Sequence, residues 1–209
     1  MHIPTSLPPG FEVAAFTFAE ARAAGISAKR LRSRDVQHPF WGVCVAAGTV
    51  HNLNDRCRAL QERMPAGAFF SHATAALLHG MPLPASLEND PSLHVTVVDP
   101  DRTLRIAGVS GHRAANLPGL SSVAGLPVLE PISAWCQLAS VLELNDLVAA
   151  GDHLLRPELG LATADAIAAR VVITVRKSSS KEWVKGAVDA ALRSRGWRPK
   201  VCVVVAHRV

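Results

Sequence analysis

The sequence predicts an α+β protein that begins with a winged helix-turn-helix and continues into a mixed α/β domain with short strands. Three observations lead to this prediction. Residues 16–34 read as two short helices separated by a glycine, residues 38–48 follow as a proline break and a β-prone run, and short helical and strand-like segments then occupy the chain to residue 170. Because these segments do not alternate as β-α-β units, a parallel doubly wound sheet is not expected.

The first two helices carry the spacing of a helix-turn-helix. Ala21, Gly25 and Leu31 fall where two helices touch, where the chain turns sharply and where the second helix packs on the first. Ser27 is placed to cap the second helix. At 100° per residue, Leu31 faces the first helix, so Lys29, Arg30 and Ser33 are expected to point outward, with Arg32 and Arg34 on the flanks.

The residues after these helices predict a hairpin that serves as the wing. On a DNA-reading helix, outward residues contact base edges and flanking residues contact phosphates. The wing is expected to bring His38 and Arg34 near the DNA, while Trp41 is expected in the core. The predicted DNA-binding residues are therefore Ser27, Lys29, Arg30, Arg32, Ser33, Arg34 and His38. A structural helical hairpin with a polar outer face remains the alternative.

The remaining elements follow from local signals. A helix over 52–64 is expected to close the first domain near residue 65, and Ser71 and Gly80 bracket a helix as its N-cap and its stop. Strands are predicted at 93–98, 104–109, near His112 and at 126–129, and helices at 132–139, 144–155 and 164–170, the last capped by Thr163. We therefore divide the chain into a winged-helix domain (1–65), an α+β domain (66–170) and a basic tail (171–209).

The tail differs in composition from the rest of the chain. Residues 1–169 contain 12 Lys and Arg against 15 Asp and Glu, whereas residues 170–209 contain 10 against 2, so the tail sets the basic pI of 9.4. Strands at 171–175 and 201–206 and a helix at 180–195 are predicted within it. Its cations are interpreted either as a second nucleic-acid surface or as a solvated face.

The sequence gives no sign of a metal, a cofactor or a membrane span. The four cysteines contain no C-x-x-C pair, and His72 and His79, seven residues apart on one helix, are roughly 10 Å from each other and cannot share an ion. We interpret these histidines as packing or capping groups. No apolar run is long enough to cross a bilayer, and the first residues do not resemble a signal peptide. A cytoplasmic location is therefore expected.

Catalytic patterns are absent as well. A restriction-type nuclease uses an acidic residue two positions before a lysine to hold a divalent ion. The residues at that position before the five lysines are Ser27, Val175, Ser179, Trp183 and Arg198. With no Gly-x-Ser-x-Gly elbow and no phosphate loop either, the chain is predicted not to be an enzyme.

Several blocks of the sequence occur in the same order in a known family. The most specific is Ser-His-Ala-Thr-Ala-Ala-Leu-Leu-His-Gly at 71–80; others are Gly-Ile-Ser at 25–27, His-Val-Thr-Val at 94–97, Gly-Leu-Pro-Val at 125–128 and Asp-Leu-Val-Ala-Ala-Gly-Asp at 146–152. Over residues 11–170 the chain resembles actinobacterial members of the AbiEi family of type IV toxin–antitoxin antitoxins and regulators. The resemblance implies a winged helix that binds the promoter of its own operon, a following domain that supports antitoxicity, and a nucleotidyltransferase-like toxin as partner.

The chain also departs from this family. After Pro131, relatives commonly have an Arg and, four residues on, an Asp, where this chain has Ser133 and Gln137. Many relatives end in a domain similar to very-short-patch-repair endonucleases, which residues 171–209 do not resemble. We therefore expect a DNA-binding transcriptional regulator or antitoxin. The alternatives are a truncated or catalytically inactive relative of an endonuclease-like protein, with a divergent or out-of-frame tail, and a protein-interaction module formed by residues 71–155.

Overall fold

The protein combines helices and strands as predicted for an α+β chain. The computed structural model describes residues 6–170, 172–175 and 202–205. Two compact units interleave along the chain. Unit 1 comprises Met1–Phe70, Pro91–Leu117 and Ser122–Pro127, and unit 2 comprises Ser71–Asp90, Pro118–Ser121 and Val128–Val209.

Unit 1 begins with two short helices and a three-stranded sheet. The elements in order are β1 (Phe16–Thr17), α1 (Phe18–Ala23), α2 (Ala28–Leu31), β2 (Val36–Gln37), β3 (Val43–Ala46) and α3 (Leu53–Gln61). β3 is the central strand and pairs antiparallel with both β1 and β2. The predicted helix over 52–64 corresponds to α3, which begins after the N-cap Asn52.

A second sheet contains five strands: β4 (Phe69–Phe70), β5 (Leu93–Val98), β6 (Val109–Ala114), β7 (Leu120–Val123) and β8 (Leu126–Leu129). Their order is β6-β5-β4-β8-β7, with β4 antiparallel and β6 parallel to β5. The strands predicted at 93–98 and 126–129 are confirmed. The strand predicted near His112 is confirmed as β6. The strand predicted at 104–109 is wrong, because pairing with β5 starts only at Val109, and β7 was not predicted.

The helices of unit 2 are α4 (His72–Leu78), α5 (Ala85–Glu88), α6 (Pro131–Leu138), α7 (Leu144–Leu154) and α8 (Ala164–Arg170). α6 contacts α4, α7 and α8. The buried side chains Ala134 and Leu138 on α6 and Leu154 on α7 supply apolar surface at these contacts. All the helices predicted between residues 71 and 170 are present, and Thr163 caps α8 by accepting the Ala166 N–H at 3.2 Å.

The last described segments are β9 (Val172–Val175) and β10 (Cys202–Val205), which pair in parallel with Val172 opposite Cys202. Both strands predicted in the tail are thus confirmed. The predicted helix at 180–195 lies outside the described residues, and so do most of the basic residues of the tail. In the described part of the chain, no helix has the length and apolarity that crossing a membrane requires.

Candidate nucleic-acid interface

The start of α1 and the turn after it are fixed by local hydrogen bonds. Thr17 Oγ1 accepts the Glu20 N–H at 3.1 Å, and the Glu20 carboxylate accepts the Thr17 N–H at 2.7 Å, which forms a reciprocal capping box. At the other end, the Gly25 and Ile26 N–H groups bind the carbonyls of Arg22 and Ala21. This Schellman-type ending requires the left-handed backbone of Gly25, whose φ is +82°.

α2 packs on this turn through apolar side chains. Leu31 and Ala21 are fully buried in a cluster that also contains Phe16, Ile26 and Cys44. Ser27 Oγ accepts the Arg30 N–H at 3.1 Å, so the predicted cap of the second helix is confirmed. The helix itself is shorter than expected, since only Ala28–Leu31 are helical.

Arg30 and Ser33 do not point outward, contrary to the sequence prediction. The Arg30 guanidinium forms two hydrogen bonds with the Asp35 carboxylate, at 2.9 and 2.7 Å, and its side chain is only 13% exposed. Ser33 Oγ accepts from the same guanidinium and donates to the Arg30 carbonyl. The Ser33 side chain first, and Arg30 second, hold the pKa of Asp35 below its usual value. The positive charge of Arg30 is therefore compensated within the segment.

The other cations of the segment remain exposed. Lys29, Arg32 and Arg34 are all solvent-exposed. None of their side chains makes a hydrogen bond or an ion pair with another part of the chain that the structure describes. These three residues form a group of available positive charges, which we call the basic segment. Lys29, Arg32 and Arg34 are thus exposed at the surface, as the sequence analysis expected.

The His38 side chain forms hydrogen bonds that anchor the β2–β3 loop, which comprises residues 38–42. Its Nε2–H donates to the Leu31 carbonyl at the end of α2 (2.9 Å), and its Nδ1 faces the Cys44 sulfur at 3.5 Å. Burial raises the pKa of the Cys44 thiol, which keeps the S–H able to donate. Both ring nitrogens therefore have partners within the protein, while the contact of His38 with DNA stays a prediction.

Trp41 lies on the surface of the β2–β3 loop, although it was predicted in the core. Its side chain is 75% exposed, whereas the neighbouring Phe40 is buried. The guanidinium carbon of Arg63 lies 5.3 Å from the centre of a Trp41 ring, within the range of a cation–π contact. Sequence reasoning missed this pair.

In unit 2, His79 occupies a structural position, as the sequence analysis expected. It is buried at the end of α4, where its Nε2 lies 2.8 Å from the Leu129 carbonyl and its own carbonyl accepts from His153 at 3.2 Å. Burial lowers its pKa below the usual value. Cys44 and Cys57 are buried free thiols, and burial raises the pKa of Cys57 to about 12.

Comparison with known proteins gives little further information. No protein-family model and no curated protein match the chain. Among solved structures, it is similar to the Rv2827c protein from Mycobacterium tuberculosis, with a TM-score of 0.48 and 19% sequence identity. The similarity covers 75% of this chain and 65% of that one, so this chain spans about two thirds of the length of its structural neighbour.

Proposed function

We propose that the chain is a non-enzymatic DNA-binding regulator of the AbiEi-like antitoxin kind, acting in the cytoplasm on the promoter of its own operon. In this proposal, residues 16–46 act as a winged helix. The order β1-α1-α2-β2-β3, with β1 and β2 on either side of β3, is compatible with that architecture. α2 supplies the groove-facing element and the β2–β3 loop supplies the wing.

The observation that carries the proposal is the basic segment. Lys29, Arg32 and Arg34 lie within six residues and are exposed, and the buried Leu31 packs this segment on the rest of its unit. Cations that are not satisfied by the protein itself are suited to phosphate contacts, which supply most of the sequence-independent affinity for DNA. The exposed Trp41, with Arg63 over its ring, adds an aromatic contact surface on the β2–β3 loop.

The test is DNA binding by a triple variant. We expect Lys29→Ala/Arg32→Ala/Arg34→Ala to bind a fluorescent duplex from upstream of its own gene at least about 100-fold more weakly, because three charge-assisted contacts at roughly 1 kcal/mol each are lost. Anisotropy titrations at one fixed salt concentration measure the change, and circular dichroism verifies that the variant is folded.

The chain offers a matched control in the same segment. Arg30→Ala/Asp35→Ala removes an internally compensated pair and leaves the net charge unchanged, so its affinity for DNA should stay within about three-fold of wild type. Equal binding by the triple variant and the wild type would contradict the proposed function.

The proposed protein partner is a nucleotidyltransferase-like toxin encoded beside this gene. Co-expression with the neighbouring open reading frame tests this part independently of DNA binding. We expect the full chain to relieve growth inhibition by that gene product and the basic-segment variant to do so equally, because the promoter contact and the antitoxic contact are assigned to different residues.

A further inference from the structure

Two histidines meet on neighbouring strands of unit 1, away from the basic segment. β5 and β6 are parallel, with His94 opposite Ser110 and Thr96 opposite His112. Since register partners in a sheet project to the same face, His94 and His112 are diagonal neighbours on one face. The alternate residues of β5 on the other face, Leu93, Val95 and Val97, are fully buried.

The two rings are joined edge to edge. His94 Nδ1 lies 2.9 Å from His112 Nε2, the ring planes differ by 8°, and the ring centres are 5.1 Å apart. Because the centres are much farther apart than the nitrogens, the rings meet through their nitrogens and not through their faces. One ring donates N–H and the other offers a lone pair, which requires both to be neutral or one proton to be shared.

We propose that His94 and His112 form a binding site for a transition-metal dication of borderline softness, of which Zn²⁺ is the representative. Two nitrogens bound to one zinc at about 2.0–2.1 Å in tetrahedral geometry are roughly 3.3 Å from each other. The observed separation of 2.9 Å differs from that by a few tenths of an ångström. In tetrahedral geometry each Zn–N bond lies about 35° from the line that joins the two nitrogens, so each ring has to turn its lone pair by about that angle. The broad χ2 torsion of histidine contributes to such an adjustment.

When both rings are neutral, binding does not change the proton count of the pair. The hydrogen between the nitrogens moves to the other nitrogen of its own ring, so each imidazole remains neutral and binds through a lone pair. Imidazole ligands favour zinc, copper, nickel and cobalt over magnesium and calcium. The metal site that sequence reasoning rejected for His72 and His79 is thus assigned to a different pair.

The experiment titrates the full chain with CoCl₂ and ZnCl₂ in metal-free buffer. We expect one equivalent of Co²⁺ to give a visible d–d spectrum without the intense near-ultraviolet band of thiolate ligands, and Zn²⁺ to displace it. Two-dimensional ¹⁵N–¹H spectra of the histidine rings should show Zn²⁺-dependent shifts of His94 Nδ1 and His112 Nε2. This readout on the wild type requires no substitution that affects folding.

Variants then assign the ligands. His94→Asn and His112→Asn should each weaken Co²⁺ binding by at least about ten-fold, whereas His51→Asn, at an exposed histidine of the same unit, should leave it unchanged. Absence of Co²⁺ and Zn²⁺ binding by the wild type, or wild-type affinity in the His94→Asn/His112→Asn double variant, overturns the proposal. Neither outcome depends on whether the chain binds DNA.

Discussion

Arg30 and Lys29 are adjacent cations, but the charge of Arg30 is compensated by Asp35, whereas Lys29 is exposed. Helical phase correctly placed Leu31 in the core and Lys29 at the surface. It gave no information about Asp35, because this residue follows the end of α2 and its position depends on the turn before β2. The sequence therefore predicted where the basic segment is, but not which of its cations is compensated.

Trp41 provides a residue-scale prediction for the β2–β3 loop. We expect Trp41→Ala to lower affinity for DNA by roughly five-fold, about 1 kcal/mol, because an exposed aromatic ring loses its contact with the duplex. Its midpoint of thermal unfolding should stay close to that of the wild type, since the ring is 75% exposed. Anisotropy and differential scanning fluorimetry measure the two quantities.

A control for this change exists in the same unit. Leu117 is 62% exposed, and Leu117→Ala should alter neither quantity. If Trp41→Ala instead destabilises the protein while DNA affinity per folded molecule is unchanged, the ring has a structural role only.

His79 provides a prediction about pH. Its pKa in the folded protein is lowered by burial, while that of the unfolded chain is close to the ordinary value of about 6.5. The unfolded state therefore binds the proton more readily, so the free energy of unfolding should fall as pH decreases below about 6.5 and be fully present above it. Urea unfolding at several pH values between about 7.5 and 5.5 measures this slope.

The corresponding variant is His79→Gln, which retains an N–H donor toward the Leu129 carbonyl but does not titrate in this range. We expect it to reduce the pH slope without removing it, because the pKa of His112 is lowered in the same direction. A slope identical to that of the wild type would show that His79 makes no contribution.

At the scale of elements, helices were predicted better than strands. The helices α4, α6 and α7 carry their apolar period and the residues that mark their ends within a short stretch, so the sequence located them within about two positions. β6 and β7 are polar, alternating segments whose strand conformation depends on a partner elsewhere in the chain. Local pattern therefore placed one strand at the more apolar residues 104–109, of which only Val109 is in a strand, although the strand predicted near His112 corresponds to β6.

At the beginning of α4, a side chain of another helix binds a backbone N–H group, and the expected local cap does not form. Ser71 was expected to cap this helix, but its side chain makes no capping hydrogen bond and instead lies 3.0 Å from His72 Nδ1. The His72 N–H is satisfied by Gln137 Oε1 of α6 at 2.8 Å. The first turn of α4 thus depends on a side chain 65 residues away.

Gln137 is accordingly expected to stabilise the protein. Gln137→Ala should lower the free energy of unfolding by about 1–2 kcal/mol, because the partly buried His72 N–H loses its acceptor. Gln137→Glu is the control: it retains an acceptor and places negative charge at a helix start, so its stability at neutral pH should equal or exceed that of the wild type. Urea unfolding compares the three proteins, and equal stability of Gln137→Ala and wild type would assign the capping of α4 to another group.

At the scale of the whole molecule, charge is distributed unevenly between the two parts that contain basic residues. Residues 1–169 have a net charge of −3 and residues 170–209 a net charge of +8. The basic segment therefore belongs to a part of the chain that is acidic overall, while most of the positive charge belongs to the tail. DNA binding through either part is consistent with the total of +5, so the total does not discriminate between them.

The salt dependence of DNA binding does discriminate, because it counts the phosphates that are neutralised. Each phosphate contact contributes about −0.9 to the slope of log affinity against log salt concentration. With Arg30 compensated by Asp35, the basic segment offers Lys29, Arg32 and Arg34, for which we expect a slope of about −3. The Lys29→Ala/Arg32→Ala/Arg34→Ala variant should then bring the slope close to zero. A slope of about −8 that persists in this variant would instead assign the contacts to the tail, because only that part of the chain has enough excess cations to neutralise so many phosphates.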